Sequence, residues 1–557
     1  LQVFHSLLKS HALDAKLIVR QAIDILVPAL PLRMEDGYEM LAHWTKKMIT
    51  DEGHSNVQLI HVLTIVVRHQ QIYYPVRHTL VHLIIQSAQK IASQPTASFD
   101  HRKLAIDLIE VTIKWELRRR NEEEQKLISN DIKPIIKEEN KSTVTPTADR
   151  PFSKPLIETL FVFLIRLACQ LSTPTYNQLS QQCIKLIKTA RKFAWSTVDV
   201  KLVTFERLIH QIELSTPQYS SIATAIDILA FLITTYNLSQ IKYTMRTLKR
   251  FLILCVQIPQ NQRLLESIQN LLSKLIIQIP IDPPPPTSAT ALSTQIPTLP
   301  NTTSVTGTLA TLTPTMANNI TKGCEDIEPF YSVINKTILD NMSGITDSSR
   351  NTITTAVSTP SVQNLSISFT YLKTISKQNP KYVDKITPII TKLLQKLIKD
   401  HVSAGTEYNP AFTEYIIECL ELLKYRIHTL TQDLRKQFMN TFLPGVTEKS
   451  HDILLIRSII KLVDDWLRYR SGTNNDQQQS CPTLKEKLNI LCKLMQCMEK
   501  RFLDDSNLYN QFLELILYIY QEPVYKDTEI CQKMEPAFLI GLKSTNNNIR
   551  QKFFNVL

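Results

Sequence analysis

His78 and His82 stand one helical turn apart, the spacing at which two imidazoles on one helix face hold zinc in a zincin-type motif. That chemistry needs a glutamate base directly after the first histidine, and the residue there is Thr79. The pair therefore reads as structural or surface histidines. Nine of the thirteen histidines precede residue 102, yet His43, His54, His61 and His69 have no spacing that defines a ligand set. Cys492 and Cys497 are five residues apart in one helical pattern, and no C-x-x-C pair supplies the other half of a zinc or redox site. The nine cysteines are scattered singly, in apolar contexts at Cys169, Cys255 and Cys419, which suits buried, reduced thiols of a cytosolic or nuclear protein.

Glycine decides which further chemistries are excluded. The chain has nine in 557 residues, several-fold below the average usage of about 7%. No two are close enough to build a phosphate-cradling loop, and neither a Walker loop, a G-x-G-x-x-G turn nor a G-x-S-x-G elbow occurs. No catalytic residue, cofactor-binding residue or metal ligand is expected. What remains is charge. The net charge is +12, and residues 181 to 260 hold ten Lys/Arg against four Asp/Glu. Lys242, Arg246, Lys249 and Arg250 share one face of a helical pattern whose neighbouring stripe is Ile241, Met245, Leu248 and Leu252. Such a face is either a surface for acidic partners or nucleic acid, or a solvated helix flank, and spacing alone favours the flank.

The elements that must carry these residues are helices. Apolar residues recur at 3.6-residue spacing in Val76, Leu80, Leu83, Ile84 and Ile91, again in Ile222, Ile226, Leu229 and Ile233, and in Ile386, Ile390, Leu393, Leu394 and Leu397. No convincing series of alternating strands appears. Thr173-Pro174, Thr216-Pro217, Asn379-Pro380 and Asn409-Pro410 read as helix starts, a capping side chain before a proline whose missing N–H costs nothing in the first turn. About 22 helical segments pair into hairpins of roughly 40 to 47 residues, the period of HEAT and armadillo repeats. The expected fold is an all-α HEAT/armadillo-like solenoid in antiparallel helix pairs.

Composition divides the chain. Residues 1–120, 153–280 and 321–557 read as helical repeats, whereas the charged stretch 121–152 and the Pro/Thr-rich stretch 281–320 read as disordered linkers. A softer interruption falls near 344 to 360, with Gly344 at a predicted junction. Arg118-Arg119-Arg120 followed by Glu122-Glu123-Glu124 reads as a charged helix end running into the first linker. No apolar run reaches the 18 residues of a membrane span. The chain begins at Leu1 and ends at Leu557 within an apolar helical pattern, so an excerpt of a longer protein is expected.

Longer strings are more specific than any of these motifs. PLRMEDGYEMLAHWTKKM from Pro31, YYPVRHTLV from Tyr73, IDLIEVTIKWELRRR from Ile106, NPKYVDKITPIITKLLQKLIKDH from Asn379, and EPAFLIGL with IRQKFFNV from Glu535 frame nearly the whole chain. They resemble the helical-repeat region of the pseudokinase scaffold of the phosphatidylinositol-kinase-related family. The resemblance implies a non-catalytic, nuclear subunit shared by SAGA-type and MYST-type histone acetyltransferase complexes. Its implied partners are the other protein subunits and the acidic activation domains of transcription factors, with no cofactor and no small-molecule substrate. Two other readings fit a basic helical solenoid: the arm of a catalytically active family kinase, and a nuclear transport receptor. Direct nucleic-acid contact is a lesser expectation.

Overall fold

A computed structural model describes residues 16–51, 56–130, 150–196, 218–257, 261–281, 326–347, 360–469 and 481–556, together with Ser6 and Phe205. The described residues contain helices and turns and no strand. They divide into two compact units, Leu1–Lys274 and Leu275–Leu557.

In the first unit the longer helices are α1 (Lys16–Arg33), α2 (Gly37–Asp51), α3 (Asn56–Arg68), α4 (Arg77–Ala92), α5 (Phe99–Asn130), α6 (Lys154–Gln170), α7 (Asn177–Thr189), α8 (Gln218–Thr235) and α9 (Leu238–Gln257), followed by α10 (Gln262–Gln278), within which the unit boundary falls. Helix α4 packs against α5, and α6 against α7. Successive pairs then stack in two layers, α2, α4, α6 and α8 in one, α3, α5 and α7 in the other. The second unit repeats the plan with α11 (Glu328–Asp347), α12 (Pro360–Gln378), α13 (Tyr382–Ala404), α14 (Pro410–Leu423), α15 (Leu443–Lys449), α16 (Ile453–Arg468), α17 (Leu484–Arg501), α18 (Ser506–Gln521), α19 (Glu535–Leu542) and α20 (Asn547–Phe554). There α11, α13, α15 and α17 stack in one layer and α12, α14, α16 and α18 in the other.

The sequence dictates this locally. Along α16, Leu455, Ile456, Ile459, Ile460, Val463, Trp466 and Leu467 are buried at helical spacing, so one face can only be satisfied by a neighbouring helix. Its first turn is closed by Asp452, whose carboxylate accepts the Leu454 N–H, and α17 begins with a capping box between Thr483 and Glu486. Asn409 caps α14 ahead of Pro410 in the expected way. At the other proline starts the detail differs. Thr173-Pro174 opens a short 3-10 turn before α7, and α13 begins only at Tyr382 with Lys381 as its cap, Asn379-Pro380 forming the preceding turn. Thr216-Pro217 lies outside the described residues.

Two boundaries move. Helix α5 runs ten residues past the expected end at 120, to Asn130, because Glu122 accepts a 2.7 Å hydrogen bond from the Tyr74 hydroxyl and a 2.8 Å bond from Arg118, which fastens the charged string to the fold. Phe152, at the far end of that stretch, is buried with its ring edge-on to His78. Gly344 lies inside the last turn of α11 rather than at a junction. Residues 131–149, 282–325 and 348–359 lie outside the described residues.

Polar groups also tie helices together. His401 of α13 is buried against Ser450, with Nε2 3.0 Å from the hydroxyl, and its ring lies tilted 5.1 Å from that of Tyr408, while Asp452 beside them accepts a 2.6 Å bond from Thr413. Burial pushes the imidazole below its ordinary pKa, against a weaker opposing pull from Asp452. The unfolded chain therefore takes up this proton more readily than the folded one, so the contribution is complete above the unfolded value of about 6.5 and is lost as pH falls through the folded one. Urea unfolding compared at pH 7.5 and 5.0 should show lower stability at the acidic value, and His401→Gln should flatten that difference. An equal difference in the variant would sink the assignment.

Candidate docking faces

Helix α9 sorts its side chains strictly. Ile241, Thr244, Met245, Leu248, Phe251, Leu252, Cys255 and Val256 are buried, and the Phe251 ring meets Phe205 at 6.4 Å. On the opposite flank Arg246, Lys249 and Arg250 are exposed and Lys242 is half-buried. The four cations singled out by spacing thus do share one outward face. Tyr243, 70% exposed, and Leu254, 42% exposed, border it. From residue 228 to 265 there is no Asp or Glu, so the helix contributes no carboxylate of its own to this face.

A second basic stripe lies on α7, where Gln178, Gln181, Lys185, Lys188 and, just past the helix, Lys192 are exposed beside Phe193. Composition over residues 181–260 contained this signal, but only the i, i+3, i+4 register places the three lysines on one line. The end of α7 is joined to that of α8 by Arg191. Its buried guanidinium donates a 3.1 Å hydrogen bond to the Thr235 hydroxyl and sits 5.1 Å from the Tyr236 ring, immediately before α9 begins. Lys188 lies 5.8 Å from the Phe231 ring of α8.

The histidines and cysteines do other work. His82 Nε2 is 2.9 Å from the Gln86 amide, whereas His78 packs on Phe152. Both line an open cleft of about 690 Å³ between α4 and α6. Among the described residues no three His, Cys, Asp or Glu side chains converge as a metal site would require. Burial pushes the thiol of Cys497 up to about 11 and that of Cys169 up to about 12, and raises Cys492, Cys255 and Cys419 as well, which suppresses thiolate chemistry. No described helix is long and apolar enough to cross a membrane.

A sequence profile of the Tra1 HEAT repeat ring region matches residues 1–557. The chain belongs to the Tra1 HEAT-repeat ring family. Its fold is accordingly an all-α HEAT-repeat solenoid. Relatives of the ring family align end to end with it. Transcription-associated protein 1 of Drosophila melanogaster is 34% identical over 100% of this chain and 15% of its own length. The human Transformation/transcription domain-associated protein is 33% identical over 100% of this chain and 14% of its own. The SAGA complex/NuA4 acetyltransferase complex subunit TRA1 of Saccharomyces cerevisiae is 22% identical over 100% and 14%. The chain thus spans about one seventh of the length of these relatives. Among solved structures, importin beta covers 100% of this chain and 62% of its own at 10% identity and a TM-score of 0.35, a likeness too slight to bear on function.

Proposed function

We propose that this chain is a non-catalytic scaffold segment of a nuclear histone acetyltransferase complex subunit of the SAGA and MYST type, linking DNA-bound activators to chromatin acetylation. The observation that carries the reading is the end-to-end match to the ring region, in a family whose yeast member is named as a SAGA and NuA4 subunit. Stacked helical repeats suit the role because they present long surfaces while each repeat needs only its neighbours for stability. Within this reading, Lys242, Arg246, Lys249 and Arg250 receive acidic activation segments. Tyr243 and Leu254 beside them offer the apolar anchorage that a segment folding on binding needs.

Reversing all four charges together tests the surface. In fluorescence anisotropy with a labelled peptide that alternates acidic and bulky apolar residues, the quadruple Lys/Arg→Glu variant should bind at least about 10-fold more weakly, the electrostatic share of such an interface. Unchanged affinity in a variant with a wild-type circular dichroism spectrum would leave these residues a solvated flank.

A further inference from the structure

The second unit carries a basic face of a different construction. Helix α13 and its cap expose Lys381, Lys385, Lys392 and Lys399, with Lys396 half-buried beside them. At 100° and 1.5 Å per residue, Lys381, Lys392 and Lys399 fall within about 20° of one line parallel to the axis and spread over about 27 Å, and the other two lie within about 60° of it. The two carboxylates of α13 answer only part of this charge. Asp384 is taken by Arg426, whose Nε donates to it at 2.7 Å, and Asp400 is half-buried, its carboxyl raised above the usual range by burial against the weaker opposing pull of Lys396 and Lys399. Lys381 and Lys392 make no ion pair among the described residues, and Lys399 acts on the half-buried Asp400 without an ion-pair contact within 4.0 Å. The acidic stripe of the neighbouring helix, Glu414, Glu418 and Glu421 of α14, belongs to the other layer, where Lys373 holds Glu418 and Lys424 lies 3.7 Å from Glu421. In the layer of α13 itself, α15 adds Lys449, and its Glu448 is engaged by Lys493 of α17.

What this face lacks selects its partner. Every large apolar side chain of α13 is buried or half-buried, and none stands exposed among the lysines as Tyr243 and Leu254 do on α9. An acidic peptide that must order itself on binding needs apolar anchors to offset the lost chain entropy. A duplex is already rigid, carries one charge per about 1.7 Å of axis, and needs only point charges at its phosphates. We propose that the lysine face of α13 binds the phosphate backbone of double-stranded nucleic acid without reading its sequence.

The test measures anisotropy of a labelled duplex of about 30 base pairs against the whole chain between about 50 and 200 mM salt, where each phosphate contact contributes about −0.9 to the log–log slope. Lys381→Glu, Lys392→Glu and Lys399→Glu together should flatten the slope by about 2–3 and weaken binding at the lowest salt at least about 10-fold, for two unrelated duplex sequences alike. Arg246→Glu, Lys249→Glu and Arg250→Glu change net charge by the same amount on α9 and should leave the slope nearly as it was. Equal losses in the two triple variants would mean that net charge alone attracts DNA and would overturn the proposal. So would an unchanged slope in the α13 variant, or capture of an acidic peptide by this face in preference to the duplex. Should the reversal variant fail to fold, the Lys→Gln triple variant, which removes the same three contacts, must show the same ordering with a change in slope of about 2–3.

Discussion

Trp466→Ala destabilises the second unit by about 3–5 kcal/mol, the range for removing a fully enclosed large aromatic side chain. Trp466 is 0% exposed, and its indole N–H donates a 2.8 Å hydrogen bond to the Lys424 carbonyl, joining α16 to the end of α14. Three neighbouring features depend on the same spot. Lys424 pairs with Asp465, the buried ammonium of Lys487 donates at 2.7 Å to the Trp466 carbonyl, and the Tyr525 hydroxyl donates at 2.7 Å to that of Leu467. Alanine leaves both a cavity and an unpaired buried carbonyl, whereas Trp466→Phe keeps most of the volume and should cost roughly half as much. Repeats couple chiefly to nearest neighbours, so hydrogen exchange should rise in α14, α16 and α17 first and reach α11 last. Urea unfolding gives the magnitude; a loss below about 1 kcal/mol would mean that the site collapses around the missing ring.

The helices were legible for the same reason that Trp466 matters. A face that repeats at 3.6 residues can only be buried, and Ile386, Ile390, Leu393, Leu394 and Leu397 are all buried along α13. Charge was far less legible. The lysines of α13 sit in a string that also holds Asp384 and Asp400, so a count of charges cannot see that the fold commits Asp384 to Arg426 and half-buries Asp400. The α9 cations stood out because that helix has no acid to mask them. Glycine scarcity correctly announced helices, but position by position it said less. Gly541 lies near the end of α19, and a Cβ there would collide with the Phe553 ring of α20, a close approach between helices that no local pattern announces.

The Arg118-Arg119-Arg120 string shows that limit most sharply and leads to the other large effect. Arg119 is buried, with Nε and Nη2 donating to one oxygen of the buried Glu116 carboxylate at 3.1 and 2.9 Å, and Nη1 reaching the exposed Glu123 at 2.8 Å. Arg77 from α4 is also buried, donating at 2.9 Å to the Tyr74 carbonyl, and the guanidinium groups of Arg77 and Arg118 each lie 4.1 Å from the Tyr74 ring. Glu116 is therefore the buried anion among two buried cations, which a linear reading of alternating charges cannot distinguish from a solvated helix end. Glu116→Gln keeps the shape and removes the charge, so it should destabilise the first unit by about 3–5 kcal/mol, because the buried guanidinium of Arg119 loses the one buried counterion it has among the described residues. Glu123→Gln, at the 61% exposed end of the same network, should cost no more than about 1 kcal/mol. Glu116→Met with Arg119→Met removes the pair whole and should recover most of the loss, since apolar replacement of a complete buried ion pair is often neutral or better. Urea unfolding of the four proteins orders these effects. If the double variant is as unstable as Glu116→Gln, packing and not uncompensated charge sets the stability of this junction.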